Sequence, residues 1–423
     1  MRRALRWMVW QLTRERTLGG AKPRGRKARV GRGSRGGMAM LLVVSIIALL
    51  SVLVTEVVFA ASMRIQLAAA QRDEAKAEAL AMGGVQFYRL LLIASKQMEG
   101  SPFLQMIAEY VPAAGNADTL WQLIPSLDSS LLRLLVAVGG SEKEAKSVQA
   151  AGGLTDQQIA DTRTVQTSLR KALLDFDGDF VASVKDEERK IYVGRFNGTN
   201  IAELMMDPQA GMLAALMTGD EADELLKVQN LDRWELIGNL HDWTDPDNTR
   251  VWQGGNEDSL YQALEPPYLP KNAPFDTLDE IRLVDGWERD AIWEAFGQHV
   301  TIYGNGRVNV NTASRWVLEA ILKRFIIPSP MDVEFLLQRI QEFRNTPPAM
   351  GGGYFPNPQS FVSFVEMMAP GTVDPELVQA ISVRSTVFRV RSVGDVGNAS
   401  VTIEAVFDFN QSLQGKVVSW RVF

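Results

Sequence analysis

Cysteine is absent from the 423 residues, and histidine occurs only twice, as His241 and His299. Without cysteine the chain has no disulfide framework, no thiolate metal site and no cysteine nucleophile, and two histidines leave little room for imidazole chemistry. Phosphate-binding loops and the G-x-S-x-G and H-E-x-x-H motifs are also missing. Paired carboxylates are the only acid-base option among the 50 acidic residues. The sequence therefore predicts a protein that is not an enzyme.

The composition is that of a chain that folds a core, and its charge is unevenly divided. Hydrophobic residues make up 46% and charged residues 22%, which excludes disorder, collagen and a polytopic membrane protein. Residues 1–37 hold 12 basic residues and one acid, whereas the remainder holds 32 basic and 49 acidic residues. A basic tail of charge +11 thus precedes an acidic body of charge −17.

One apolar run of membrane-spanning length follows the basic tail. Residues 38–55 contain no charged side chain, and at about 1.5 Å per residue they extend roughly 27 Å, close to the thickness of a bilayer's hydrocarbon core. Because basic residues precede the run and acidic residues prevail after it, the positive-inside bias predicts a cytoplasmic N-terminus and a body across the membrane. The alternative is a secretory signal cut near Ala60-Ala61-Ser62, which is a poor cleavage site.

The same segment predicts an unusually long helix. Neither glycine nor proline occurs from Met38 to Met82, and helix-forming residues dominate after Arg64. Beyond Gly83-Gly84, an apolar stripe continues at positions 85, 88 and 92, which is the spacing of one helix face. We expect one helix from the membrane segment to about residue 97, packed against a sheet at its end.

The junction between tail and helix resembles a known processing signal. A basic leader that ends in Gly36-Gly37 before an apolar helix opening with Met38 is similar to the signal of type IV prepilins and type II secretion pseudopilins. The resemblance implies cleavage between Gly37 and Met38 by a prepilin peptidase and methylation of the new N-terminus. Most members carry glutamate as the fifth residue after the cut, whereas this chain has Leu42, which is typical of the minor pseudopilin K.

A second block carries the same resemblance into the body. The stretches His241-Asp-Trp-Thr-Asp-Pro-Asp to Glu257-Asp-Ser-Leu-Tyr261 and Tyr268-Leu-Pro-Lys-Asn to Val284-Asp-Gly286 are similar to a conserved block of the general secretion pathway protein K family. The segment Val308-Asn-Val-Asn-Thr-Ala-Ser314 fits the family as well, and we expect Asn309 and Asn311 to form a turn and a helix cap. The chain is therefore identified as resembling minor pseudopilin K of type II secretion systems.

The expected fold class is α+β, with a pilin-like N-terminal helix packed on an antiparallel sheet and a large all-α domain, SAM-like or helix-hairpin-helix-like, inserted between strands. Before the insertion, residues 180–184 and 190–193 are predicted to form a β-hairpin, and Gly394 and Gly397 are predicted to mark a turn in a final meander. The expected divisions are a leader at 1–37, a helix at 38–97 with a transmembrane half at 38–59, a first pilin-like part at 98–200, the helical domain at 201–382 and final strands at 383–423.

Five carboxylates cluster in the family-like block. Asp242, Asp245, Asp247, Glu257 and Asp258 lie within seventeen residues of a loop that contains Pro and Gly. Oxygen ligands on an irregular loop suit Ca²⁺, and the resemblance implies a structural calcium site with Asp245, Asp247, Glu257 and Asp258 as ligands. The alternative is that Asp242 caps a helix, Asp245 and Asp247 make turns, and Glu257 is solvated.

The resemblance also implies the partners. It predicts assembly with minor pseudopilins I, J and H, the major pseudopilin G and the inner-membrane assembly platform, in a tip complex that starts and caps a periplasmic pseudopilus. The side chains expected to contact lipid or partner helices are Leu41, Leu42, Val44, Ile46 and Leu49. A minor pilin of a type IV pilus or DNA-uptake filament is the alternative; nucleic-acid binding itself is disfavoured by the acidic body.

Overall fold

The structure is a computed structural model, and it describes residues 35–98, 120–124, 126–130, 177–326, 333–346, 350 and 352–423. The leader predicted at 1–37 lies outside these residues up to position 34, as does most of the predicted first pilin-like part between positions 98 and 176. The described residues form two compact units, one that ends at Leu67 and one that runs from Ala68 to Phe423.

The helices and strands are numbered in chain order. The helices are α1 (Arg35–Met98), α2 (Leu120–Leu123), α3 (Ile201–Met206), α4 (Pro208–Leu216), α5 (Asp220–Gln229), α6 (Arg233–Thr244), α7 (Asp258–Gln262), α8 (Asp290–Phe296), α9 (Arg315–Phe325), α10 (Val333–Asn345), α11 (Pro358–Met368) and α12 (Leu377–Ala380), with 3₁₀ turns at Leu278–Leu283 and Gly297–His299. The strands are β1 (Ser126–Asp128), β2 (Asp179–Asp186), β3 (Ile191–Tyr192), β4 (Val300–Thr301), β5 (Val308–Asn309), β6 (Ile381–Ser382), β7 (Val387–Val396), β8 (Ala399–Asp408) and β9 (Lys416–Val422).

The main sheet has five antiparallel strands in the order β1-β2-β7-β8-β9. Strands β2 and β7 are neighbours in space, yet residues 187–386 lie between them in the chain. The helical region occupies that interval, so it is an insertion between two paired strands. The predicted α+β class, with a helical domain inserted between strands of an antiparallel sheet, is confirmed.

The second half of α1 packs on this sheet. Its fully buried residues recur every three or four positions and share a core with β2, β7 and β8: Ala77, Ala81, Val85, Tyr88 and Leu92. The backbones approach closely at Gly394, where an added Cβ would lie 2.1 Å from the Ala77 carbonyl oxygen. The predicted packing of the long helix on a sheet is therefore confirmed, and its glycine pair at 83 and 84 lies within the helix.

Two predictions about the strands are wrong. Strand β3 does not pair with β2 as a hairpin; it pairs in parallel with β4, while β2 pairs with β1 and β7. The reason lies between them, where Glu187 and Glu188 are buried and turn the chain into the helical region. Gly394 lies inside β7 rather than in a turn, because a side chain there would collide with α1, and Gly397 with φ of +61° makes the turn.

A buried polar network joins the inserted region to the sheet. The Asp186 carboxylate, at the end of β2, accepts hydrogen bonds from Thr312, Ser385 and Asn309. The turn predicted at Asn309 is present, since its side-chain oxygen accepts from the Asn311 backbone N–H at 2.9 Å. The cap of α9 is Ser314, however, so the prediction that an asparagine caps this helix is wrong.

Candidate metal centre and apolar helix

Helix α6 fixes the first two carboxylates of a cluster in the inserted region. The Asp232 side chain caps its N-terminus by accepting from the backbone N–H groups of Trp234 and Glu235. Residues from Leu236 to Trp243 are buried, which holds the helix in the core and carries Asp242 with it. The helix ends at the C-cap Asp245, whose backbone is extended and whose N–H donates to the His241 carbonyl.

The loop after α6 brings the third carboxylate, that of Glu257, back beside the end of α6. The Asp247 carboxylate accepts from the Thr249 backbone N–H at 2.8 Å, and Thr249 pairs with Asn256 in an antiparallel bridge. Between them the chain reverses through Gln253, Gly254 and Gly255, all with positive φ. Glu257 thus lies opposite the end of α6 and is 1% exposed.

Asp242, Asp245 and Glu257 form an acidic triad. Each offers one carboxylate oxygen to a group in which all three atoms lie within 4.8 Å of one another. Two full charges at that separation repel by about 3 kcal/mol at an effective dielectric constant near 20. Three mutually close carboxylates therefore cannot all be ionised at low cost without a cation between them.

Unpaired oxygens in the triad show where a cation would bind. Asp242 accepts from the Val251 N–H with one oxygen at 3.0 Å, but its other oxygen has no partner. One oxygen of Asp245 and both oxygens of Glu257 are likewise buried without a hydrogen bond. Because a buried acceptor without a partner is costly, these four oxygens fit the coordination of a hard cation.

The pKa values of the triad are all raised. Burial, reinforced by neighbouring carboxylates, raises the pKa of Asp242 to about 7, that of Asp245 to about 6 and that of Glu257 to about 8. The nearest imidazole does not offset this charge, because burial lowers the pKa of His241 and leaves it neutral near pH 7. Near neutral pH the site therefore exchanges protons for any cation that binds.

The sequence-predicted ligands separate into two groups. Asp245 and Glu257 belong to the triad, together with Asp242, which the sequence places in the cluster but not among the ligands carried over from the resemblance. Asp247 is exposed and fixes the loop, and Asp258 lies in the first turn of α7 and accepts from Asn248 at 3.2 Å. The sequence signal that could have identified the third member is the position of Asp242 three residues before Asp245, in the last turn of α6.

Three aromatic side chains pack together at the end of α6, where Trp243 adjoins Asp242 in the chain. Trp243 contacts Tyr261 and Tyr268 edge-on, with ring centroids 5.3 and 6.3 Å away. The indole N–H of Trp243 donates to Glu280 at 3.0 Å, and that carboxylate is paired with Lys271. This packing fixes the end of α6 and keeps the medium around the triad apolar, which strengthens charge interactions there.

The first half of α1, unlike its partly buried second half, is apolar and exposed. The stretch Gly37–Met98 is long enough and, in its most apolar window, hydropathic enough (mean hydropathy 2.8) to cross a membrane, by length and composition only. The window is not buried at all, and the five side chains predicted to face lipid or partners are 48 to 70% exposed: Leu41, Leu42, Val44, Ile46 and Leu49. Continuous exposed apolar surface of this kind marks a membrane or protein contact. Gly37 and Met38 lie in the first turns of the same helix.

The acidic triad lies in the part of the chain that matches a known protein family. Residues 194–305 match the family model described as type II secretion system protein K. The chain is 26% identical over 186 residues to type II secretion system protein K of Aeromonas hydrophila and 23% identical over 165 residues to that of Klebsiella pneumoniae. These alignments cover 43% and 39% of this chain, and 52% and 48% of the relatives, so the chain spans about half the length of the curated relatives it matches.

One solved structure is also similar. It is the crystal structure of the GspK-GspI-GspJ complex from enterotoxigenic Escherichia coli, matched at 17% identity with a TM-score of 0.43 over 58% of this chain and 80% of that chain. The family match contains the whole acidic triad and its supporting helix. By this match and the two relatives, the chain is similar to the type II secretion system protein K family.

Proposed function

We propose that this protein is a minor pseudopilin of a type II secretion system, with a structural and non-enzymatic role in the export of folded proteins. The observation that carries the proposal is α1, a single 64-residue helix. Its first half is apolar and exposed, and its second half is the buried element on which the sheet packs. The family match to protein K favours a secretion machine over a type IV pilus or DNA-uptake filament.

The proposed maturation follows from the helix and the leader. Prepilin peptidase cuts between Gly37 and Met38, the new N-terminus is methylated, and the helix holds the protein in the inner membrane with its body in the periplasm. Positive charge before the helix and acidic charge after it support this orientation.

The proposed assembly uses the exposed half of α1. Leu41, Leu42, Val44, Ile46 and Leu49 contact lipid and the helices of minor pseudopilins I and J. Pseudopilin H, the major pseudopilin G and the assembly platform complete the machine. With Leu42 where other subunits carry a glutamate, no subunit is required ahead of this one, and the helical insertion covers the tip.

The proposed cofactor is Ca²⁺ at the acidic triad. Asp242, Asp245 and Glu257 supply carboxylate oxygens, and Asp247 and Asp258 add negative charge beside them. When bound, the ion neutralises the triad and ties the loop of residues 246–257 to the end of α6, which stabilises this part of the inserted domain.

Single-cysteine crosslinking tests the assembly, because the natural chain has no cysteine. We expect Leu42→Cys and Leu49→Cys to form disulfides, in membranes, with cysteines placed in the helices of pseudopilins I and J. The matched control is Glu376→Cys, an exposed position in the inserted region, which should not form them. Absence of crosslinks from both helix positions, or equal crosslinking from Glu376→Cys, would refute the assembly.

A further inference from the structure

A second feature of the inserted region is an open cavity of about 510 Å³. None of the three triad residues lines it. Its walls come from the end of α4, the start of α5, the end of α8 and one face of α9. The volume is within the range of about 300 to 1,000 Å³ that is usual for ligand pockets. No role follows for this cavity from membrane anchoring or from cation binding.

Helix α9 supplies the floor of the cavity. Its buried face, which includes Val317, Ile321 and Phe325, belongs to the core, and the residues that line the cavity recur at helical spacing on the other side: Trp316, Glu319, Ala320 and Lys323. Trp316 is 54% exposed, a large apolar surface for a residue type that is usually buried. Ala215, Leu216 and Phe296 extend the apolar wall.

The mouth of the cavity is acidic. Asp220, Glu221 and Glu294 are exposed there, and among the residues that the structure describes no ion pair joins any of them to a cation. Asp220 and Glu221 begin α5, whose helix dipole offsets only about half a charge. A net negative charge of between two and three therefore remains at the mouth.

Other charged groups near the cavity do not cancel this excess. Lys323 pairs with Glu319 at 2.8 Å and donates to the Thr218 carbonyl, so the two charges neutralise each other. Arg233, which donates to the Thr218 hydroxyl, is paired with Asp223. His299 lies 6.4 Å from the Trp316 ring, and burial lowers its pKa, so it is neutral near pH 7.

We propose that this cavity binds a basic, extended peptide segment of a partner protein, with an arginine or lysine side chain along Trp316 and an apolar neighbour inside the cavity. An exposed indole attracts a cation through its ring face, and the unpaired carboxylates at the mouth complement the same charge. The apolar wall takes the flanking side chain. This inference goes beyond pseudopilus assembly and stands without it.

Fluorescence anisotropy with the purified full chain in detergent tests the proposal. The probe is a fluorescein-labelled peptide with the sequence Leu-Arg-Leu-Arg-Leu, and the control peptide has glutamine in place of arginine. We expect saturable binding of the arginine peptide at about 0.1 to 1 mM, and weakening by added salt because the charges are exposed.

Matched variants locate the binding. We expect Trp316→Ala, and separately the double variant Glu221→Gln with Glu294→Gln, to weaken binding by about fivefold or more. Glu376→Gln, which removes an equal exposed charge elsewhere, should leave it unchanged. Because the double variant alters only surface side chains, it tests the site even if Trp316→Ala changes the fold.

Three outcomes would overturn the proposal: no saturable binding of the arginine peptide, equal binding of the glutamine peptide, or equal weakening by Glu376→Gln. None of these results bears on processing at Gly37 or on crosslinking to pseudopilins, so failure here is distinguishable from failure of the proposed function.

Discussion

Replacing Glu257 by glutamine should change stability in opposite directions with and without calcium. Glu257 is 1% exposed, neither carboxylate oxygen has a hydrogen-bond partner, and burial raises its pKa from 4.5 to about 8. At pH 7.5 without a cation, holding this group in the folded state costs about 4 kcal/mol, since each pKa unit corresponds to about 1.4 kcal/mol.

Glu257→Gln removes that penalty but leaves a buried amide with unmade hydrogen bonds, which costs about 1 to 2 kcal/mol. The net gain of about 2 to 3 kcal/mol corresponds to a Tm increase of about 3 °C in EDTA, since about 2.1 cal/mol/K per residue gives the full chain an unfolding entropy of about 0.9 kcal/mol/K. In the natural protein, calcium at about 1,000 times its Kd stabilises the fold by about 4.1 kcal/mol. The variant has lost a ligand and most of this gain, so it should be the less stable protein in calcium.

Thermal unfolding of the full chain in EDTA and in calcium measures both effects. Asp258→Asn is the matched control, because Asp258 adjoins Glu257 in the chain but lies outside the triad. It should shift both Tm values by less than the Glu257 variant does. If Glu257→Gln lowers the Tm in EDTA, or keeps the full response to calcium, the reasoning about the triad is wrong.

Three further predictions concern the apolar half of α1, the contact between α1 and the sheet, and the pH dependence of the triad. Because Leu49 is 63% exposed in the apolar half of α1, Leu49→Arg should abolish pseudopilus assembly, at a cost of about 3 kcal/mol for membrane insertion, while circular dichroism of the body is unchanged; normal filaments would contradict this. Gly394→Ala should lower the free energy of unfolding by about 2 to 4 kcal/mol, because its Cβ would lie 2.1 Å from the Ala77 oxygen, and an unchanged denaturation midpoint would contradict the packing. In EDTA, the Tm advantage of Glu257→Gln should shrink as the pH falls from about 9 to 5, because the folded carboxyl with its raised pKa takes up protons that the unfolded one does not; an advantage that grows would reverse the sign.

Features with a strong periodic signal could be predicted from the sequence. The stripe through Val85, Tyr88 and Leu92 gives the buried face of α1, because helical spacing of apolar residues has few other interpretations. The alternation in residues 400–407 likewise gives β8, whose partners on both sides are antiparallel. In both, local spacing and tertiary burial agree.

Features that depend on long-range contacts could not be predicted in the same way. The interruption of the expected hairpin after Asp186 depends on distant partners: Ser385 donates to Asp186 at the end of β2, and Thr301 and Arg389 donate to Glu187, which follows it. A glycine in this sequence context suggests a turn, but Gly394 lies where the backbones of β7 and α1 come into close contact. Sequence spacing alone contains neither fact.

The candidate metal centre is partly predictable from local sequence and partly dependent on long-range contacts. The acidic loop identifies the region, and Asp245 and Glu257 are among the predicted ligands, whereas Asp242 is placed in the cluster but not among them. Only the fold shows that α6 and the returning loop bring a carboxylate oxygen of Asp242 within 4.8 Å of those of Asp245 and Glu257.

The most direct test of the central claim is mass spectrometry of the N-terminus of the protein recovered from membranes, with and without the host's prepilin peptidase. A protein that belongs to a pseudopilin machine should begin at a methylated Met38 when the peptidase is present, and should retain Gly37 and the leader when it is absent. An N-terminus that is the same in both strains, or a cut after Ala61, would contradict the account.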